Sequence, residues 1–77
     1  MTRQEFLREF EKMVNLDPGT LGGDELLEGL AHWDSLKMLD FVVDAEAKFN
    51  VVLDGEAVSR ATTVNDLVGL VADHLSG

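Results

Sequence analysis

If this chain were a hydrolase, Ser35 would be the candidate nucleophile, with His32 or His74 as its base. His32 lies three residues before Ser35, and His74 lies near the end of the chain. A serine hydrolase needs a base beside the serine, an acid that orients the base, and an oxyanion hole. No Gly-x-Ser-x-Gly elbow surrounds Ser35, and nothing in the sequence marks the other requirements. We therefore expect no catalytic residue and predict that the chain is not an enzyme.

A metal site would depend on carboxylates, because the chain has no cysteine and no His-x-x-x-His pair. Asp17, Asp24 and Asp54 are not embedded in a loop with the alternating oxygen ligands and closing glutamate of an EF-hand. We predict no metal site. The lack of cysteine also excludes disulfides and thiolate nucleophiles, and it fits a reducing compartment.

The strongest signal is the run Trp33-Asp34-Ser35-Leu36, which opens the most apolar segment of the chain after a long loop. Asp34 is a residue type that caps helix N-termini. Ser35 would then be the first residue of a helix. A junction between a long loop and a helix leaves a hydroxyl accessible to another protein.

The elements before this motif follow from capping residues and apolar spacing. Thr2 and Glu5 have the spacing of a capping box, and the periodicity of apolar residues predicts a first helix over residues 3–14. Pro18 disfavours helix in the residue before it and begins a long connection. Because so long a loop without structure is unusual, we predict a short helix within it, over Asp24–Leu30.

Helical spacing continues in the second half of the chain. The segment Ser35–Phe49 is too apolar for a single buried stripe, so it predicts a long helix with a second face that needs cover. We expect residues 51–53 to be extended and Asp54–Ser59 to form one helical turn. Thr63 is predicted to cap a final helix whose apolar residues are Val64, Leu67, Val68, Val71 and Leu75. The whole chain, residues 1–77, is predicted to be one all-α domain.

The charge of the chain limits its partners. Fifteen acidic residues against six basic ones give a formal net charge of −9. This charge repels phosphate backbones and anionic membrane surfaces, so we expect neither nucleic acid nor membrane as a partner. It would steer the chain towards basic patches on other proteins, and it would also keep a small domain soluble. Without a signal-peptide pattern or an apolar run near ~18 residues, we expect a cytoplasmic monomer.

The chain resembles the acyl carrier protein family, including its peptidyl and aryl carrier relatives, over essentially its whole length. The resemblance rests on Asp34-Ser35-Leu36 near the middle of a short acidic chain, on the helix order, and on Thr62-Thr63-Val64 at the start of the final helix. It implies an acyl-carrier-like four-helix bundle. Three main helices would be joined by a short third helix and by a long structured loop between helices one and two.

The resemblance implies that a phosphopantetheinyl transferase moves a 4′-phosphopantetheine arm from coenzyme A onto Ser35 with magnesium. The start of a helix would favour the phosphodiester of that arm. The thiol of the arm would hold an acyl or aminoacyl group as a thioester. Adenylating or acyl-transferring enzymes would load it, and condensing or tailoring enzymes would use it. Asp34 matches the aspartate of the motif, which helps to engage the transferase, and it also suits the N-cap.

The resemblance also suggests which other residues contact partners and cargo. The predicted partner contacts are Trp33, Asp34, Leu36, Asp40, Asp44 and Glu46, with the three acids after Leu36 sharing a polar face. The candidates for an acyl pocket are Met38, Leu39 and Val43, while Phe41, Val42 and Phe49 are expected in the core. Plainer interpretations stay open: a solvated acidic face, a core position for Leu36, and a tryptophan that holds the loop.

Several positions depart from the pattern of the family. His32-Trp33 replaces a lead-in that contains glycine, Lys37 places a cation in the first turn of the second helix, and Ala61 stands where fatty-acid carriers commonly have a larger aliphatic residue. The departures at His32, Trp33 and Lys37 favour a carrier from a specialised pathway, such as polyketide or nonribosomal peptide synthesis. The alternatives are an unmodified acidic helical interaction module and a small hydrolase.

Overall fold

Four α-helices form most of the regular structure of residues 1–76, the part of the chain that this computed structural model describes. They are α1 (Arg3–Met13), α2 (Ser35–Phe49), α3 (Gly55–Arg60) and α4 (Val64–Leu70). Single turns of 3₁₀ helix lie at Leu27–Gly29 and Ala72–His74, and residues 1–76 contain no β-strand. The prediction of an all-α fold is confirmed. Within the same residues, no helix has both the length and the apolar character that crossing a membrane requires.

The helices begin at the capping residues that the sequence predicts. Thr2 and Glu5 form a capping box at α1: Glu5 N–H donates to Thr2 Oγ1 at 3.1 Å, and Thr2 N–H donates to Glu5 Oε1 at 2.8 Å. Thr63 and Asp66 form the corresponding box at α4. Each cap satisfies N–H groups that have no carbonyl partner inside the helix, and one cap is typically worth about 1 kcal/mol.

The ends of α1 and α2 agree with the predictions to within one residue, whereas α4 stops at Leu70 although the apolar pattern predicted a helix that reaches Leu75. Helix α1 stops at Met13, one residue early, and Asn15 adopts a left-handed conformation with φ of 60°. Helix α2 has the predicted span and ends at Asn50, also left-handed, whose N–H donates to Glu46 O at 2.9 Å. Asparagine tolerates this conformation better than most residues, which is why it ends helices well.

The segment between α2 and α4 holds the short helix that the sequence predicts. Residues 51–53 belong to no helix, as expected. Asp54 caps α3, and its Oδ1 accepts a hydrogen bond from Glu56 N–H at 3.0 Å. Helix α3 runs to Arg60, one residue beyond the predicted turn. Its one buried side chain, Val58, fastens it to the core.

Aromatic rings form the centre of the core. Phe41 on α2 meets Phe6 and Phe10 on α1 edge to face, with ring centroids 5.9 and 6.2 Å apart, which are favourable separations. The other buried apolar side chains come from all four helices and the long loop: Leu7, Val14, Leu21, Leu27, Ala45, Val58, Val64, Leu67, Val68 and Val71. Val42 and Phe49, expected in the core, are only partly buried against it.

The long loop between α1 and α2 is where the predicted secondary structure is wrong. The helix expected over Asp24–Leu30 is reduced to a single 3₁₀ turn. The backbone of this segment bonds to the start of α4 instead: Val64 N–H donates to Glu25 O at 3.1 Å, and Leu27 N–H donates to Thr62 O at 2.8 Å. Groups committed in this way cannot also form the i to i−4 hydrogen bonds of an α-helix.

A buried carboxylate on α1 fastens the first half of the loop. Glu11 is fully buried and accepts hydrogen bonds from the backbone N–H groups of Gly19 at 3.2 Å and Leu21 at 2.8 Å. Arg8 Nε lies 2.6 Å from Glu11 Oε1. Burial alone would raise the pKa of Glu11, but the two hydrogen bonds and the Arg8 charge outweigh it and lower that pKa. The carboxylate therefore stays ionised and holds the loop against α1.

Candidate functional site

Ser35 stands on the surface at the first position of α2. The preceding residue, Asp34, is also exposed and caps the helix: its Oδ1 accepts a hydrogen bond from Lys37 N–H at 2.9 Å. The cap follows from the sequence, because a short side chain with an oxygen acceptor precedes the apolar helix. Ser35 is thus held in a regular backbone conformation while its side chain remains accessible.

Trp33 fixes the end of the loop just before the serine. Its indole packs against Phe10 and Phe41, with ring centroids 5.5 and 6.4 Å away, and the backbone N–H of Trp33 donates to Leu30 O at 3.2 Å. The side chain is half-buried. Of the roles open to Trp33, the structure gives it at least the anchoring one. Ser35 therefore projects from a rigid base.

No hydrogen bond joins Ser35 to either histidine within residues 1–76. His74 stacks on Phe49 at the other end of α2, with ring centroids 5.8 Å apart. Fourteen residues of helix separate Phe49 from Ser35, which corresponds to roughly 20 Å along the axis. His32 is exposed on the loop. Within residues 1–76, no three or more His, Asp or Glu side chains come together as metal ligands would.

An apolar face of α2 begins next to Ser35 and points to solvent. Leu36, Leu39 and Val43, here called the outer face, have 70%, 59% and 58% of their surface exposed. Their spacing of three and four residues places them on one side of the helix. The apolar surplus of α2 predicts a second face that needs cover, but no element within residues 1–76 covers it. Exposed apolar patches are often surfaces that contact another molecule.

The acids of α2 do not share one face, contrary to the expectation from sequence. With about 3.6 residues per turn, Asp40 and Asp44 lie on one flank of the outer face and Glu46 on the other. Asp40 lies 3.8 Å from Lys37, and Asp44 lies 3.2 Å from Lys48. These lysines offset part of the negative charge on the first flank. Glu46 has no ion-pair partner within residues 1–76.

A groove of about 430 Å³ opens beside Ser35, between α2 and the start of α3. Its lining residues are Ser35, Met38, Leu39, Val42 and Gly55, and we call it the serine groove. Met38 and Leu39, two of the three residues predicted for a pocket, line it, whereas Val43 does not. Val42, expected in the core, packs partly buried against it and also lines the groove. Its position seven residues after Ser35 places both on one side of α2, and that spacing could have identified it.

A second groove of about 420 Å³ lies between the long loop and the end of α3. Its walls are Leu26, Leu27, Glu28, Trp33, Met38, Ser59, Arg60, Ala61 and Thr62, and we call it the loop groove. Met38 belongs to both grooves. The sequence does not identify this groove, because its walls come from segments more than 20 residues apart. Leu26 lies at its edge with 54% of its surface exposed.

Asp66 holds one wall of the loop groove in place. Its Oδ2 accepts hydrogen bonds from Thr62 N–H at 2.9 Å, Thr62 Oγ1–H at 2.8 Å and Thr63 N–H at 3.0 Å. The bonds from the backbone of Thr62 and then of Thr63 lower the pKa of Asp66 to about 2. The carboxylate is therefore ionised at neutral pH, and the hydroxyl hydrogen of Thr62 is committed to it.

Comparison with known proteins identifies no relative of this chain: no protein-family model, no curated protein and no solved structure matches it significantly. The site is therefore interpreted from its own residues. It consists of an exposed serine on a capped helix, an exposed apolar face beside it, and two grooves that meet at Met38.

Proposed function

We propose that this chain is a carrier protein that holds biosynthetic intermediates as thioesters on a 4′-phosphopantetheine arm attached to Ser35. The proposal rests above all on one observation: Ser35 is exposed at the first turn of α2, directly after the N-cap Asp34. The order of its helices and its long structured loop agree with an acyl-carrier-like bundle. In such a protein, other enzymes catalyse the reactions and the carrier presents the substrate.

The surroundings of Ser35 suit a phosphopantetheine arm. An ester at this position would place its phosphate at the start of a 15-residue helix, where free N–H groups and the helix dipole stabilise negative charge. On modification, Ser35 Oγ would form the bond to phosphorus, coenzyme A would lose adenosine 3′,5′-bisphosphate, and the hydroxyl proton would pass to the transferase or solvent. The arm supplies a thiol for thioester formation. The serine groove offers apolar surface next to the attachment point.

The outer face supports the part of the proposal that concerns partners. A carrier must dock on a transferase and then on loading and condensing or tailoring enzymes, each close to Ser35. Leu36 and Leu39 provide exposed apolar contacts within about one turn of the serine, and Asp34 lies beside it. Asp40, Asp44 and Glu46 flank these contacts and would meet basic side chains of the partners.

Intact-mass measurement tests the proposal. We expect incubation with a permissive phosphopantetheinyl transferase, magnesium and coenzyme A to add one phosphopantetheine to the chain, and Ser35→Ala to abolish the gain. Ser59→Ala is a matched control, because Ser59 is another exposed serine and donates its hydroxyl hydrogen to Glu56 O within α3. A native chain that gains no mass, or a gain that survives Ser35→Ala, would overturn the assignment.

An unmodified interaction module is the second candidate, and the same outer face favours it. Such a module would use Leu36, Leu39 and Val43 to bind a partner without any covalent arm. Its binding would be indifferent to Ser35→Ala. A carrier instead loses every activity that depends on thioester delivery when Ser35 is removed, so one variant separates the two functions.

A further inference from the structure

The polar groups on the rim of the loop groove have unused capacity as hydrogen-bond acceptors. Ser59 donates its hydroxyl hydrogen to Glu56 O at 2.8 Å, and Thr62 donates its hydroxyl hydrogen to Asp66 Oδ2 at 2.8 Å. A hydroxyl has a single hydrogen to donate and two lone pairs that can accept. Both side chains therefore present oxygen acceptors to a ligand in the groove, and neither has a hydrogen left to offer.

Two charged residues line the loop groove, Glu28 and Arg60, and only Glu28 lacks an ion-pair partner within residues 1–76. Arg60 lines the groove, but its Nη2 lies 2.6 Å from Glu56 Oε1, so this cation is paired within α3. Glu28 also lines the groove and has neither an ion-pair partner nor a hydrogen-bond donor to its carboxylate within residues 1–76. Carboxylates accept hydrogen bonds and attract cations. The groove thus favours a ligand that carries N–H donors and a positive charge.

The walls below this rim are apolar and partly aromatic. Trp33 is backed by Phe10 and Phe41, which hold its ring in place, and Met38 and Ala61 complete the floor. An indole face attracts cations as well as apolar groups. The small side chain of Ala61 leaves room that a larger aliphatic residue would fill. Such a surface suits a compact group with an ammonium at one end and carbon at the other.

The groove is placed where a group tethered to Ser35 can reach it. Met38 lines both the loop groove and the serine groove, which contains Ser35 itself. Trp33 precedes Ser35 by two residues. A flexible arm attached to Ser35 could therefore reach either groove past Met38.

We propose that the loop groove binds an aminoacyl group carried on the arm, with the Glu28 carboxylate receiving its ammonium and Trp33, Met38 and Ala61 contacting its side chain. The inference rests on the proposed carrier function and adds the class of cargo. The serine groove has mostly apolar walls and lacks a comparable acid, so it would not distinguish an aminoacyl group from a plain acyl group.

A matched pair of cargoes tests the inference. The transferase would install on Ser35 an arm that carries either valyl or 3-methylbutanoyl through a stable amide, so that the two proteins differ only by the ammonium group. Trp33 is the one tryptophan of the chain, so its fluorescence reports on the groove, and the backbone amide resonances of Glu28 and Thr62 report on the rim. An exposed charge pair predicts about two- to fivefold higher occupancy for valyl.

Three comparisons decide the outcome. Glu28→Gln should make the two cargoes equivalent, whereas Glu46→Gln, which removes the same charge from an exposed site outside the groove, should preserve the difference. Ala61→Leu should reduce the response to both cargoes by filling the groove. A chain that gains the arm but responds equally to both cargoes, or to neither, overturns this inference and leaves the carrier function intact. A chain that gains no mass overturns the carrier function and this inference with it.

Discussion

The inner and outer faces of α2 carry similar side chains in different surroundings. Phe41 and Ala45 on the inner face are buried, while Leu36 and Leu39 on the outer face are largely exposed. Helix α1 supplies aromatic rings to the inner face, and nothing in residues 1–76 packs on the outer one. Apolar residue type alone therefore does not determine burial. Under the proposed carrier function, the exposed apolar face next to the accessible serine would serve as a docking surface.

Acidic residues also differ in burial, as Glu11 and Glu46 show. Glu11 is buried and receives two backbone hydrogen bonds and the charge of Arg8, so it is part of the fold. Glu46 is exposed, without an ion-pair partner in the described chain, and is free to meet another molecule. The same substitution made at a buried residue and at an exposed residue of the same class tests whether the two have these different roles.

The largest effect that we expect is a loss of stability when a side chain of the inner face is truncated. Phe41→Ala should lower the free energy of unfolding by about 3–5 kcal/mol, because it removes buried surface and leaves a cavity between α1 and α2. Leu39→Ala on the outer face should change it by less than about 0.5 kcal/mol. Urea denaturation followed by circular dichroism measures both. Equal losses would show that the outer face is packed in solution and would refute the comparison.

The next effect concerns the buried acid. Glu11→Gln should cost about 1–3 kcal/mol at neutral pH, because the amide replaces charged hydrogen bonds to Gly19 and Leu21. Glu46→Gln should have little effect. The folded-state pKa of Glu11 is below its ordinary 4.5, so its stabilisation is complete above that pH and is lost as pH falls through the folded value. The difference in free energy of unfolding between the native and Glu11→Gln proteins should therefore become smaller as the pH falls into the acid range. A difference that stays constant with pH would contradict this role of Glu11.

The smallest effect that we expect comes from a substitution on the outer face, which should leave stability unchanged. It tests whether this face is a docking surface. Leu36→Ser should slow the modification of Ser35 by about fivefold, since losing a central apolar contact commonly costs about 1 kcal/mol of binding. Val52→Ser is the matched control, because Val52 is even more exposed, at 81%, but lies outside α2. Rates of mass gain under limiting transferase provide the measurement. An equal rate for native and Leu36→Ser protein would remove this face from the docking surface.

The helices could be predicted from the sequence because their caps are local. Thr2 with Glu5, and Thr63 with Asp66, interact across three residues, and Asp34 caps α2 across the same distance. Such interactions form whatever the rest of the chain does. The helix predicted over Asp24–Leu30 does not form, because interactions with a distant segment replace the local ones. Its backbone groups found partners in Thr62 and Val64, which no local pattern indicates.

Some features of the candidate site could likewise be predicted from local sequence, and others could not. Ser35, its cap Asp34 and the groove residues Met38 and Leu39 follow from a motif and from helical spacing. The packing of Trp33 on Phe10 joins two distant segments of the chain and could not be assigned beforehand. The loop groove was missed altogether.

Residue types and their spacing predict the all-α composition, the span of α2 and the serine at its start, because capping and apolar periodicity act between residues three or four apart. They do not predict that Glu11 is buried, that the outer face stays uncovered, or that Glu28, Trp33 and Thr62 line one groove. These features arise from contacts between segments distant along the chain. Their geometry depends on how the loop packs against α1 and α4, which residue spacing does not encode.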